Sequence, residues 1–396
     1  MLKMGLIISN WRQSLLACML LLLGGCLMPQ AVTAQDYVWT GAGSAGANNW
    51  NDPANWFYDV SLPPVSDEMS LSFGWFSTTN TIISGSPLGQ MQQLYFAGNG
   101  NYTLDLGSGL TLLRAGGRDG GSIVSEGGTH AINSMGAIGY SEGTIIVKAG
   151  SVTFQQHLTN AVPTSPSFDY YTAEGAVVRV LNGSDGKLWI DGLAPPSAGT
   201  VIYGGTSYCP VVMLVSGTLI ANGIMHLVPS VFPASNLDID DGGLGGGGVL
   251  AGNGTFNNIG RLTIPALATL RPGDLNKNSG IGTLTFTNAS SYLEFKPGSA
   301  FEIYLGNRTT SSVVWPAMLM LPSSGAKLAL KQIAGTRLAN GTYTLLTYDH
   351  RHNNNTFDNS FNDGELPPGL SVEYGPNALV LTVARTPSRA TIFQIL

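Results

Sequence analysis

The sequence predicts an all-β solenoid, a stack of short coils whose strands pair in parallel from one coil to the next. Three observations carry this. Runs of four to six residues alternate apolar with polar side chains, as in GTLTFTN, where Leu284 and Phe286 fall on one side and Thr283, Thr285 and Thr287 on the other. Each run closes on glycine, asparagine or proline-glycine, residues that let the chain turn sharply. No run is long enough for a helix and no hairpin signal dominates, so short strands with tight corners read as a parallel β-helix. Composition agrees: 52 of 396 residues are glycine and 11% are charged. Without a Gly-X-Y period, that excludes collagen and charged disorder.

The stretch from Gly217 to Gly306 is the most regular, and the body is placed at residues 88–306. Residues 35–87 are predicted to form an N-terminal cap and the first coils. There Trp39, Trp50 and Trp56 flank a loop rich in Gly, Ala and Asn. Large aromatics over the first open edge would cover the apolar column; the same rings could instead form a platform for stacking glycans. The stretch from Leu158 to Thr172, with its prolines, reads as an insertion looping out from one side. After Gly306 the texture changes: VVWPAMLMLP is apolar without alternation and the later runs are longer. Residues 307–385 are predicted to be the last coils closing into a small antiparallel cap, and residues 386–396 a tail.

Residues 1–34 read as a signal peptide. Lys3 and Arg12 precede an apolar core at Leu15 to Leu23, and Val32-Thr33-Ala34 supplies small residues for cleavage between Ala34 and Gln35. The rival reading uses Leu23-Gly24-Gly25-Cys26 as a lipoprotein box with Cys26 acylated, which would give an outer-membrane lipoprotein. After the leader, Cys209 is the remaining cysteine, so no internal disulfide is expected. No later stretch reads as a transmembrane helix. A formal charge of −6 without a basic stripe excludes a nucleic-acid partner.

Candidate chemistry is sparse. In LDIDDGG, Asp238 and Asp240 would point outward together about 7 Å apart if Leu237 and Ile239 point inward, a weak start for a Ca²⁺ site. Asp274 to Gly280 superficially resembles a calcium loop but lacks glycine at the sixth position and glutamate at the twelfth, so it reads as a polar turn. His350 and His352 lie two apart beside three asparagines and read as a polar loop. His130, His157 and His226 have no carboxylate at useful sequence spacing, so no triad is proposed. Catalytic residues and cofactors are therefore expected to be none.

SGTLIANG, LGGGGVLAGNGTF, LTIPALATLRPGD and GIGTLTF resemble the autotransporter-associated β-strand repeat of bacterial surface proteins. The W-T-G, N-N-W and N-W segments from Trp39 to Trp56 are similar to the start of such proteins, and NGTYTLLTYD and LPPGLSVEYG to their closing segment. The resemblance implies a right-handed parallel β-helix, secreted or at the cell surface, and carries over no catalytic residue. It departs from full autotransporters in that no translocator-barrel block follows. The expectation is a non-enzymatic, adhesin-like scaffold presenting Thr, Asn and Ser faces to an extracellular polysaccharide or matrix. The alternatives are a β-helix polysaccharide lyase or glycosidase, and a surface-layer component anchored through Cys26; oligomeric state is left open.

Overall fold

The structure is a computed structural model. It describes residues 37–40, 49–56, 70–73, 81–85, 90–106, 110–112, 121–133, 135–138, 142–159, 167–185, 187–192, 199–209, 211–227, 237–239, 247–289 and 291–384.

Alternation in the sequence becomes alternation in burial. In Thr283–Thr287, Leu284 and Phe286 are buried while the three threonines are half-buried on the outer side. A strand with one apolar side needs a second apolar layer, and here the sheets supply it to one another across a shared core, as where Tyr170 of one meets Tyr203 of another. Strands pair in parallel with the equivalent strand one coil on, which builds three long faces. The first face runs through nine strands from Tyr37–Val38 to Leu237–Ile239. It passes against Leu262–Ile264 into a further four-stranded sheet. The second is a single sheet of twelve described strands, from Thr81–Gly85 to Asp358–Phe361. The third begins with three strands and resumes as eight from Thr206–Cys209. Isolated parallel bridges, Leu158 with Ser184 and Asp185 with Tyr208, connect these two parts.

The inward rows form a continuous apolar column. On the second face Val152, Val178, Val201, Leu219, Leu250, Leu270, Phe301 and Leu328 are successive register partners, all fully buried. On the first face Leu94, Ile123, Ile145, Tyr170, Ile190 and Leu214 do the same. Each such side chain contributes roughly 1.5–3 kcal/mol by leaving water. The step between coils is irregular: Tyr203 pairs with Ala221, yet Ala221 pairs with Gly252.

One expectation changes. The stretch from Leu158 to Thr172 is not an outward insertion throughout. Ser167–Thr172 is a core strand in the first face with alternating burial, and its inward Phe168 and Tyr170 outweigh the local proline content. Parallel coils run on past Gly306, to Asp358–Phe361. VVWPAMLMLP is two strands, Ser312–Val314 and Met318–Met320, around a corner at Trp315. Antiparallel strand pairing among the described residues is confined to Gly341–Thr347, Ala378–Val383 and Leu370–Tyr374.

His130 continues the second-face column, in register with Val152, and is buried. Its ring stacks on Phe96 with centroids 4.1 Å apart. Nε2–H donates to the Gly127 carbonyl at 2.7 Å, while Nδ1 is buried without a partner. A second proton on Nδ1 would be a desolvated charge with no acceptor, and burial lowers the pKa from 6.5 to about 4. The unfolded chain therefore takes up the proton first as pH falls. Stability conferred by the neutral ring is present above pH 6.5 and is lost as pH drops toward 4, by about 3 kcal/mol in full. Urea unfolding between pH 7.5 and 4 is expected to show a loss about that much larger in the native protein than in His130→Phe; equal losses would contradict the assignment.

Candidate functional site: the outer face around Trp189

The strand Lys187–Gly192 buries Leu188 and Ile190 against the core, so parity turns Lys187, Trp189 and Asp191 outward. Trp189 is 40% exposed, the exposed tryptophan among the described residues. No described aromatic ring packs on it. Register sets its neighbours. Asp169 on the preceding strand and Met213 on the following one lie directly across from it, and Tyr171 lies across from Asp191. Neighbouring strands are about 4.8 Å apart, and alternate residues of one strand about 7 Å. One indole is thus bracketed by two carboxylates and a phenol. The Ser216 hydroxyl donates to Asp191 Oδ1 at 2.8 Å and orients that carboxylate. Lys187 is exposed at the start of the strand.

The candidate residues named from the sequence fall elsewhere. Cys26, Ala34, Gln35 and Asp240 lie outside the described residues. Leu237 and Ile239 are buried as expected, and the Asp238 backbone pairs with Met213, which places it on the Asp169–Trp189–Met213 row. Trp39, Trp50 and Trp56 are all buried. Their rings meet edge to face, Trp39 to Trp56 at 5.1 Å and Trp50 to Trp56 at 5.0 Å, and each packs on Phe73. Trp56 Nε1 donates to the Trp50 carbonyl at 2.9 Å. Their ring faces are occupied by one another, so they offer no surface for a sugar.

The histidines also resolve. His157 does have a carboxylate neighbour: its Nε2 lies 3.2 Å from Asp185 Oδ1, and its Nδ1 3.0 Å from the Asn182 carbonyl. Coil stacking brings together groups that sequence spacing keeps apart. The pair belongs to an outer row of the third face that continues through Tyr208, His226, Asn257 and Thr287. Tyr208 is 51% exposed, but its face is stacked on His226 at 4.8 Å. His350 opens a short strand and pairs with Asp349, while Arg351 lies over the Tyr374 ring at 5.0 Å. Asp274 is buried and accepts from Asn222 Nδ2 at 2.8 Å and from the Asn276 backbone N–H at 2.9 Å, which makes its loop a braced turn. Among the described residues no three His, Cys, Asp or Glu side chains gather as metal ligands.

Cys209 is fully buried beside a polar cluster inside the column. The Tyr170 and Tyr203 hydroxyls hydrogen-bond to each other, Ser184 Oγ lies 3.2 Å from Tyr203, and the thiol points at the Ser184 carbonyl. Burial pushes the thiol and both phenols up, so none is ionised near neutral pH. This cluster is part of the packing of the column.

These features define an all-β parallel solenoid with an exposed tryptophan on one face. No protein-family model and no curated protein matches the chain. Among the described residues no helix is long and apolar enough to cross a membrane.

Proposed function

We propose that this chain is a non-enzymatic, exported scaffold of the autotransporter-associated repeat type, acting at or beyond the cell surface. Its coils wind right-handed, as parallel crossovers nearly always do. Trp39, Trp50 and Trp56 close the first end of the column and the antiparallel strands near the C-terminus close the last. The observation that carries the reading is the outer row of the second face. Thr200, Thr218, Val249, Thr269 and Ala300 follow one another in register, a wall of short hydroxyl-bearing and small side chains. A comparable row on the third face runs Thr206, Ile224, Thr255, Thr285 and Val314. Charges between coils are met locally, as where Lys148 pairs with Glu126 at 2.7 Å and Lys331 with Asp363. Such a wall presents contacts over length rather than a converging set of acids and bases.

The test is expression with the native leader, followed by fractionation and mass spectrometry of the N-terminus. An extracellular or surface species beginning at Gln35 is expected. Full-length protein retained inside the cell would overturn the reading, and a lipid-modified N-terminal Cys26 would replace it with the anchored alternative. Cleavage of pectate or alginate by the purified protein would overturn its non-enzymatic part.

A further inference from the structure

We propose that residues 391–396, TIFQIL, fold back over the last coil, seat Phe393 in the recess beside Ala384 and pair along the free edge of the Leu370–Tyr374 strand. The inference goes beyond the scaffold reading and does not depend on export.

The Leu370–Tyr374 strand ends the eight-stranded sheet, with Ala378–Val383 on one side of it and no described strand on the other. Gly375 N–H donates to the Ala378 carbonyl at 2.8 Å, and Ala384 N–H to the Gly369 carbonyl at 2.7 Å. Antiparallel bonding alternates along a strand, so Ser371 and Glu373 turn their backbone groups toward Thr382 and Val380. Leu370, Val372 and Tyr374 aim theirs the other way. Leu370 N–H donates to the Pro367 carbonyl at 3.1 Å, and among the described residues nothing pairs with the N–H groups of Val372 and Tyr374. Their side chains are incompletely covered: Leu370, Val372 and Tyr374 pack on the core together with Phe361 and Leu366, and all five are partly buried. Beside them lies a recess of about 310 Å³, lined by Phe361, Pro367, Leu370, Val383 and Ala384 and by the exposed Arg337. An apolar recess beside an unpaired backbone edge suits one more strand with apolar side chains.

The chain supplies such a strand. Ala384 lines the recess, and the sequence runs on from it through the polar Arg385 to Ala390, with two arginines and a proline, into TIFQIL. That segment carries Ile392, Phe393, Ile395 and Leu396 and no charge. Threonine, isoleucine and phenylalanine favour strands. As a strand it puts Phe393 and Ile395 on one side and Gln394 on the other. A cavity of about 150 Å³ admits a benzene ring, so the recess takes Phe393 with room for Ile395. Reach is sufficient: the far side of the edge strand is two strand spacings from Ala378–Val383, about 10 Å, and residues 385–391 span up to about 23 Å. A second copy could approach the same edge, but an attached segment is present at an effective concentration in roughly the millimolar range. At micromolar protein the segment of the same chain wins.

The experiment is hydrogen exchange resolved to single amides, on the purified, leader-processed protein and on its Phe393→Asp variant. The Val372 and Tyr374 amides are expected to exchange slowly in the native protein and about tenfold or more faster in the variant, while the Val249–Gly252 strand exchanges alike in both. A synthetic peptide spanning Arg389 to Leu396, added to the variant, should restore slow exchange at those two amides, and the same peptide carrying Phe393→Asp should not. Fast exchange of both amides in the native protein would overturn the proposal without recourse to any variant. Equal protection in the variant, or no rescue by the peptide, would overturn it as well. Protection that rises with protein concentration, together with a dimer by light scattering, would assign the edge to a second copy instead. None of these outcomes bears on localisation or the mature N-terminus, so failure here is distinct from failure of the scaffold reading.

Discussion

Phe286→Ala is expected to destabilise the protein by about 3–5 kcal/mol, the range for deleting a well-packed aromatic from a core. Phe286 is buried in an aromatic column that crosses three coils. It stacks on Phe256 with centroids 5.3 Å apart and 15° between planes, and meets Trp315 at 5.2 Å. Phe256 and Phe286 are register partners, as are Leu284 and Val313 beside them. The spacing of the coils is set by backbone hydrogen bonds, so neighbours cannot close in on the cavity and the loss stays near the upper part of the range. Thr285→Ala, on the outer side of the same strand, is expected to change stability by no more than about 0.5 kcal/mol. Urea unfolding of the two variants checks both values, and a loss below about 1 kcal/mol for Phe286→Ala would contradict the stacked column.

The second large effect is expected at a corner. Gly150 has φ of +71°, and a Cβ there would lie 1.8 Å from the Gly128 carbonyl oxygen. Gly128 stands in the same relation to Gly100, at 2.2 Å. The backbone of one coil thus rests on the backbone of the last with no room between. Gly128 O also accepts from the Ser151 N–H at 2.8 Å, so moving the corner breaks a ladder bond. Gly150→Ala combines the left-handed backbone penalty of about 1–2 kcal/mol with that displacement, for a loss of about 3 kcal/mol or more. Gly175 occupies the next such corner with φ of +75°, but nothing lies within 4 Å of its would-be Cβ. Gly175→Ala is expected to cost only the backbone penalty. Equal melting temperatures for the two variants would mean that Gly150 is not a point of close approach.

What could be read beforehand follows from what is local. Alternation in TLTFT assigned Leu284 and Phe286 to the inside because strand parity needs no knowledge of the partner. The same parity in KLWIDG places Trp189 outside between Leu188 and Ile190, on the side it shares with Lys187 and Asp191. Partners across coils were not legible. His157 meets Asp185, and Tyr208 meets His226, only because of an interval between coils that changes from one to the next. Without a constant step, sequence spacing cannot set register. The proline-bearing stretch before Phe168 misled for a related reason: its punctuation is local, whereas the burial of Phe168 and Tyr170 is decided by the strands on either side. Trp315 shows the converse, a buried corner residue that turned two short strands into one apparent apolar run.

The central claim is parallel stacking in register, and pulsed dipolar spectroscopy on spin labels at Thr200→Cys and Lys327→Cys tests it most directly. The two positions share one outer row, linked through Thr218, Val249, Thr269 and Ala300. Stacking predicts a single narrow distribution near five strand spacings, about 24 Å, with Cys209 buried and unlabelled. A broad distribution, or a mean beyond about 35 Å after allowing for label length, would show that these strands do not lie one above another.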